Sequence, residues 1–426
     1  MNASAPKTSL CFLLAAKRCE MADLQQLAQT SGLVRRTAAL IHELQRERGL
    51  SNLYAASLGQ AFATERHLQL ARSDAASTAL RAGFDTLETV PPRHGARLYS
   101  RIAFALHGLE TLPRLRLEVE GLRAPPASLT AAYTRLIASL LAVVFEAADT
   151  ATDLDLSRRL VALFHLMQGK ELAGQERATG SAMLATGRAD GDAQQRLLHL
   201  IESQERCLQV FETFADEDLL DLWQASRSAP LQAGIERLRR QLCNTPPGQP
   251  LDSQRSATWF DTCSQRMDGM RQVEERLTDS LVEQCQSRLR RVADEMHEIQ
   301  ALQARLDGDA SALDDHAAAP LFHAPDPAAP NPAPPMGLAL EKSVLELVQE
   351  QATRLQALSA ELETVRASLN ERKLIERAKG LLMAHQQLSE EAAHKALRDL
   401  AMRQNKRMVD VAEAVLSMAT LLSPRN

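Results

Sequence analysis

Gln45-Arg46-Glu47-Arg48-Gly49-Leu50-Ser51 lies inside a long run of helix-forming residues, and a partial copy, Gly174-Gln175-Glu176-Arg177-Ala178-Thr179-Gly180-Ser181, lies inside another. Each stretch sets a Glu-Arg pair beside small and hydroxyl residues. Each also puts glycine into helix, where it costs about 1 kcal/mol relative to alanine, so a compensating contact is required twice. Close helix packing is one such contact, with small residues admitting a neighbouring backbone and Glu and Arg pairing on a solvated face. The other is a small cationic chamber in which Arg48 and Arg177 face each other and Gly49, Ser51, Ala178 and Thr179 form the walls. A guanidinium is planar, stays protonated and offers a rigid fork of donors, so two of them can bracket a small planar oxyanion.

The helical setting extends over most of the 426 residues. Aromatics are 4% of the chain and glycines number 18, while Ala, Leu, Arg, Glu and Gln recur throughout, a composition that favours long helices over sheet. Up to about residue 306 the helical periodicity is broken only at Pro91-Pro92, Pro125-Pro126, Gly187 to Asp192 and Pro246 to Pro250. Eight or so helices are too many for one four-helix bundle. The expected fold is therefore all-α, beginning with an N-terminal body of two helical bundles that share long helices or are joined by them. Ser57-Leu-Gly and Gly187 to Gly191 read as ordinary turns.

Between residues 307 and 337 the periodicity stops, and seven of the 18 prolines fall between Pro320 and Pro335. Proline fixes φ and removes a donor, so this segment is expected to be an extended tether. Beyond it Val348, Leu355, Leu362 and Leu369 recur every seven residues. That seam suits a coiled-coil helix over 338–370, or an amphipathic helix packed on its own domain. Three short helices follow in 371–426, the second starting at Ser389 with Glu390 and Glu391 in its first turn. This end holds ten Lys or Arg against seven Asp or Glu, in a chain whose net charge is −5. Ala378-Lys379-Gly380 is a small, cationic, backbone-exposing patch, and Arg403, Asn405, Lys406 and Arg407 cluster before the last helix. Such a face can meet phosphates and unpaired bases, or be merely a solvated basic surface.

Other classes find little support. The longest uncharged apolar stretch, Leu136 to Phe145, is half of what a spanning helix needs. Leu10 to Ala16 is interrupted at once by Lys17 and Arg18, so it reads as the start of a helix rather than an export signal. The six cysteines form no CxxC pair and are expected to be reduced thiols in a cytoplasmic protein. His165, His199 and His297 have no metal-ligand partner at helical spacing. No phosphate-binding loop, nucleophile elbow or dinucleotide fingerprint occurs, so neither catalysis, a metal nor a cofactor is expected.

His42-Glu-Leu-Gln-Arg-Glu-Arg-Gly-Leu-Ser51 and Lys170-Glu-Leu-Ala-Gly-Gln-Glu-Arg-Ala178 resemble the NIT domain, the nitrate- and nitrite-sensing module, over roughly Thr8 to Leu306. The resemblance implies two four-helix bundles with nitrate or nitrite between them. Its ligands would be Arg48 and Arg177, with Gly49, Ser51, Ala178 and Thr179 as neighbours and Arg46 and Lys170 as secondary candidates. Ile375-Glu-Arg-Ala-Lys-Gly-Leu-Leu-Met383, Leu388-Ser-Glu-Glu-Ala392, Leu397-Arg398, Ala401-Met402 and Val409-Asp-Val-Ala412 resemble the ANTAR domain, a three-helix RNA-binding antitermination module that follows a dimerising coiled coil. His394 departs from it, since the family more often has an aromatic residue there. This second resemblance implies hairpin loops of a nascent leader mRNA as partner, a homodimer, no membrane, and Arg377, Ala378, Lys379, Gly380, Met402 and Arg407 nearest the RNA, with Arg403, Asn405 and Lys406 behind them. Met402 suits a core position equally. Two rival readings remain: a DNA-binding helix-turn-helix regulator, and a ligand-free scaffold with an RNA-binding tail.

Overall fold

The computed structural model describes residues 9–87, 95–148 and 154–308, then 371, 374–375, 378–379, 381–382, 388, 390–404 and 406–422. Among them are eleven helices and no strand. The N-terminal body is built from α1 (Ser9–Ala56), α2 (Ala63–Asp85), α3 (Ala96–Glu120), α4 (Pro126–Ala148), α5 (Leu154–Thr186), α6 (Gly191–Phe214), α7 (Glu217–Ser226), α8 (Ala229–Asn244) and α9 (Arg255–Gly308). The C-terminal module contributes α10 (Glu390–Gln404) and α11 (Met408–Leu422). The all-α expectation holds. Leu10 to Ala16 forms the first turns of α1.

Three expected breaks separate helices as read: Pro125-Pro126 lies between α3 and α4, Gly187 to Asp192 at the start of α6, and Pro246 to Pro250 before α9. The fourth, Pro91-Pro92, lies outside the described residues. Gly187 takes φ +67, which glycine tolerates without strain, and Asp190 caps α6 by accepting from the Ala193 amide at 3.2 Å. This turn does more than reverse the chain. Ala189 N–H donates to Gln249 O at 2.9 Å, Gly248 N–H to Ala189 O at 2.8 Å and Leu251 N–H to Gly187 O at 2.8 Å, tying the α5–α6 turn to the α8–α9 loop.

The helices fall into two halves. α1 packs on α2 and α4, and α3 on α4; α5 packs on α6 and α9, with α7 and α8 against α9. One continuous apolar core, including Leu40, Ile41, Leu44, Tyr133, Ile137, Leu163, Met167, Phe211, Met270 and Leu277, runs through both. The long helices α1 and α9 are antiparallel over most of their length. Cys11 meets Gln303, Lys17 meets Glu295 at 2.5 Å, Ser31 meets Cys285, Arg35 meets Asp279 at 3.5 Å and Arg46 meets Asp268 at 3.9 Å.

One correction concerns α4. Residues Pro126–Ala147 are long and apolar enough to cross a membrane by length and composition, because Arg135 and Glu146 are the two charged residues in the stretch. Arg135 is exposed, while Leu136, Ile137, Leu140, Leu141, Val143 and Val144 are buried against α1, α3 and α5, so α4 is a core helix here.

In the C-terminal module Ala378, Leu397, Ala401, Val411 and Ala412 form a small core joined by Leu374, Ile375, Leu382 and Met408. The coiled-coil seam of 338–370, Ser389 and the tether beyond Gly308 lie outside the described residues.

Gly180 of α5 sits under the indole of Trp259, which is 0% exposed and donates Nε1–H to Arg177 O at 2.9 Å. A Cβ on Gly180 would lie 2.4–2.6 Å from three atoms of the indole, a severe clash. Gly180→Ala should therefore lower unfolding stability by about 1–3 kcal/mol. Gly32→Ala, in the same kind of helical setting but with nothing within 4 Å of the new Cβ, should raise it by about 0.5–1 kcal/mol. Urea denaturation of the two variants measures both, and equal signs would refute the packing assignment.

Candidate anion site

The repeated motifs meet where α1 crosses α5. Arg48, 1% exposed, donates from Nη1 to Glu171 Oε1 at 2.6 Å and to Thr134 Oγ1 at 2.9 Å, and from Nη2 to Glu171 Oε2 at 3.2 Å. Arg177 donates from Nη1 to Ser264 Oγ at 2.8 Å and from Nη2 to the Gln45 carbonyl at 3.1 Å, with its plane 4.6 Å from the Phe260 ring centre. A Cβ on Gly174 would lie 2.5 Å from Arg48 Nη2, and one on Gly49 2.9 Å from Arg177 Nη2. Each guanidinium thus crosses to the opposite motif and lies where a larger side chain would be. That contact is what compensates for glycine in both helices.

The two halves match more deeply. Arg48 uses a hydroxyl of α4, the last helix of its half, and Arg177 a hydroxyl of α9, the last helix of the other. The motif glutamates turn away from the arginines beside them. Glu47 takes a two-pronged bond from Arg116 at 2.9 and 2.8 Å and a third from Tyr133 at 2.7 Å. Glu176 takes the same two-pronged bond from Arg239 at 2.7 and 2.8 Å and a third from Gln204 at 2.7 Å. Burial opposes the charge on Glu176, but Arg239 and Arg266 outweigh it and hold its carboxyl below the usual range. Burial likewise weakens Arg116, and its bonds to Glu47 and Asp74 outweigh that and raise its pKa. The simple packing reading of a Glu-Arg pair on a solvated face is thereby corrected: both glutamates are buried and spoken for within their own halves.

Charge breaks the symmetry. Arg48 faces a carboxylate, whereas none of the Arg177 hydrogen bonds goes to one among the described residues. Burial, and then the charge of Arg48, lower the Arg177 pKa to about 10, which still leaves it protonated at neutral pH. Glu171 pairs with Arg48 alone, and the carboxylate whose charge acts on Arg177 is the exposed Asp268, so Arg177 has no buried carboxylate partner among the described residues. His42, 8% exposed, has an Nδ1 without a partner, and burial followed by Lys170, Arg271, Arg46 and Arg177 lowers its pKa to about 2.

The remaining candidates divide. Ser51 is fully buried and its Oγ lies 3.4 Å from the Tyr133 hydroxyl, which places it in the Glu47 cluster. Ala178 and Thr179 are half-buried on the turn after Arg177. Arg46 is exposed beside Asp268, and Lys170 is committed to Glu274 with both side chains 0% exposed. Sequence reasoning did not assign Glu171, Thr134, Gln45, Ser264 or Phe260. Glu171 and Gln45 stood within the quoted motifs, but nothing in their spacing showed that they would face each other across 2.9 Å.

On the C-terminal module Met402 is 73% exposed, so the core alternative for it is set aside, and Arg403, Lys406 and Arg407 are exposed as well. Arg407 bonds Glu371 at 3.0 Å and Asp410 at 3.2 Å. Ala378 and Lys379 are buried, at 0% and 6% exposure. Arg377, Gly380 and Asn405 lie outside the described residues. The His394 ring packs at a tilt against His199 of α6, with centres 5.0 Å apart, so the position that departs from the ANTAR pattern touches the N-terminal body.

An all-helical body that buries two arginines between its halves, followed by a small module with exposed basic side chains, defines a ligand-responsive regulator. Comparison with known proteins agrees. A family model described as nitrate and nitrite sensing matches residues 39–282, and a model of the ANTAR domain matches residues 363–416. The nitrate regulatory protein of Klebsiella oxytoca is 35% identical over 407 residues, 95% of this chain and 94% of that protein. The solved structure of the NasR transcription antiterminator superposes with a TM-score of 0.59 at 33% identity, covering 96% of this chain and 98% of that one. The chain belongs to the nitrate and nitrite sensing (NIT) family, and it is a regulator rather than an enzyme.

The burial of neutral His42 has a measurable consequence. Unfolded, it binds its proton near pH 6.5; folded, only near pH 2. Between these values the unfolded chain holds the extra proton, so stability falls on acidification by about 1.4 kcal/mol per pH unit from this residue. His42→Gln should flatten the acid limb by about one proton below pH 6, as measured by urea titrations across pH.

Proposed function

We propose that this chain is a nitrate- and nitrite-responsive regulator of transcription antitermination in which Arg48 and Arg177 hold the anion at the α1–α5 crossing. The observation that carries the site is the missing counter-charge: of the two guanidinium groups within one buried crossing, only Arg48 has a buried carboxylate partner among the described residues. A flat, singly charged oxyanion supplies that charge and accepts the in-plane donors of both forks. Gly49 and Gly174 give the guanidinium groups room, Thr134 and Ser264 orient them, and Ala178, Thr179 and Ser51 line the flanking turns.

The output belongs to the C-terminal module, which we read as the RNA-binding part, its partner being hairpin loops of a nascent leader mRNA. Met402, Arg403, Lys406 and Arg407 present an exposed face; the ANTAR resemblance adds Arg377, Lys379, Gly380 and Asn405 as candidates, whereas Ala378 belongs to the module's own core. The His199–His394 contact supports a resting arrangement in which this module is held against the sensor. On this reading the sensor spans 1–306, a tether 307–337, a dimerising helix 338–370 and the RNA-binding domain 371–426, working as a homodimer in the cytoplasm. α9 begins beside Arg177, through Phe260 and Ser264, and ends at the tether, so a change at the crossing reaches the module along one continuous helix. The anion shifts the balance by its differential affinity for the two packings, commonly about 1–3 kcal/mol in such couplings.

Calorimetry with nitrate and with nitrite tests the sensor. Arg177→Lys keeps the charge and loses the fork, and should weaken binding about 10- to 100-fold while the chain stays folded; absence of binding by the unmodified chain ends the sensing reading. For the module, gel shifts should favour leader hairpins over the same sequence as duplex DNA. Arg403→Ala should weaken the RNA complex and reduce its salt dependence by roughly one phosphate contact.

A further inference from the structure

We infer that Glu171 is an internal counter-ion that occupies the Arg48 fork, and that nitrate or nitrite reaches Arg48 by displacing this carboxylate. The inference rests on the site reading above and concerns its regulation. Glu171 Oε1 and Oε2 take both Nη groups of Arg48, at 2.6 and 3.2 Å. These are the donors that a planar oxyanion would use, so carboxylate and anion are alternative occupants of one fork.

The surroundings are arranged for an exchange. Glu171 also accepts from Gln45 Nε2 on α1 at 2.9 Å and from Gln175 Nε2, one turn along α5, at 2.9 Å. A carboxylate leaving Arg48 keeps two amide donors and is not stranded in a buried place, where an unpaired charge would be costly. Thr134 stays on Arg48 Nη1 and holds the guanidinium in place while its partner changes. Glu171 belongs to α5 and Arg48 to α1, so their bond is an ionic tie between the halves. Exchange replaces that direct tie by one running through the anion to Arg177, and this is how occupancy alters packing. Among the described residues the matched half shows no such device: Arg177 has hydroxyl, carbonyl and ring partners there. Arg177 is then the standing receptor, and Arg48 the gated one.

Two variants of the full chain separate displacement from a simple effect of charge. Glu171→Gln removes the charge and weakens the hold on Arg48. Glu171→Asp keeps the charge but shortens the reach, so the field stays while the fork is freed. Both should bind nitrate about tenfold tighter than the unmodified chain by calorimetry, with a reporter responding at correspondingly lower nitrate. Tighter binding by Glu171→Gln alone overturns displacement and leaves only a field effect. Unchanged or weaker binding in both folded variants overturns the inference outright. Should a variant fail to fold, the nitrate difference infrared spectrum of the unmodified chain decides: a shifted carboxylate stretch supports displacement, and an unaltered carboxylate region overturns it. Failure of the unmodified chain to bind nitrate at all is a different result, and defeats the sensing reading itself.

Discussion

Two like charges buried at one helix crossing repel each other, and the N-terminal body is organised around that fact. At an effective dielectric suited to protein interiors, a pair of guanidinium groups close enough to act on each other is held only where something negative or dipolar stands between or behind them. Here Glu171 stands behind Arg48, while Arg177 is left with a hydroxyl, a carbonyl and the face of Phe260. A cation resting on an aromatic face and a neutral dipole is stabilised less than one resting on a carboxylate. On the proposed reading that imbalance favours a small anion at this point, and would couple its binding to helix packing.

The same reasoning explains the glycines. A helix gives up about 1 kcal/mol for each one, and the return is the approach of a guanidinium to the opposite backbone. Gly49 and Gly174 serve the two arginines, and Gly180 admits Trp259, whose indole N–H binds the Arg177 carbonyl. The two halves repeat this plan with different side chains: Thr134 for Ser264, and Tyr133 for Gln204 as the third donor to the motif glutamate. What differs between them is charge: Arg48 has a carboxylate partner and Arg177 has none among its hydrogen bonds in the described residues.

Much of this was legible from the chain itself. Low aromatic and glycine content with long helical periodicity marked an all-α protein, and a glycine placed twice beside Glu-Arg marked the crossing. Other parts were hidden for identifiable reasons. Glu171 pairs with a residue on another helix, and a single sequence carries no register between helices distant along the chain. The motif glutamates looked like local partners of Arg48 and Arg177, yet Arg116 and Arg239 claim them from helices whose positions no spacing predicts. α4 was underestimated because one exposed arginine interrupts its apolar run. The turn at Gly187 looked ordinary because its hydrogen bonds go to a loop some sixty residues further on. The burial of Lys379 contrasts with its place in a patch that reads as exposed, since burial depends on what packs against a helix as well as on its own residues.

The antiparallel pairing of α1 with α9 fixes how far the crossing stands from the tether. Between Cys11 opposite Gln303 and Arg46 opposite Asp268 the two helices run side by side for about 50 Å at 1.5 Å per residue. This shaft has a length that is independent of the chemistry at its base. Removing two full turns from both helices together would preserve every facing pair beyond the cut and shorten the throw, whereas removing them from one alone would put the remaining pairs out of step. If α9 transmits the signal as proposed, sensor and output are separable parts in an engineering sense, joined by a rod whose length can change without redesigning either end.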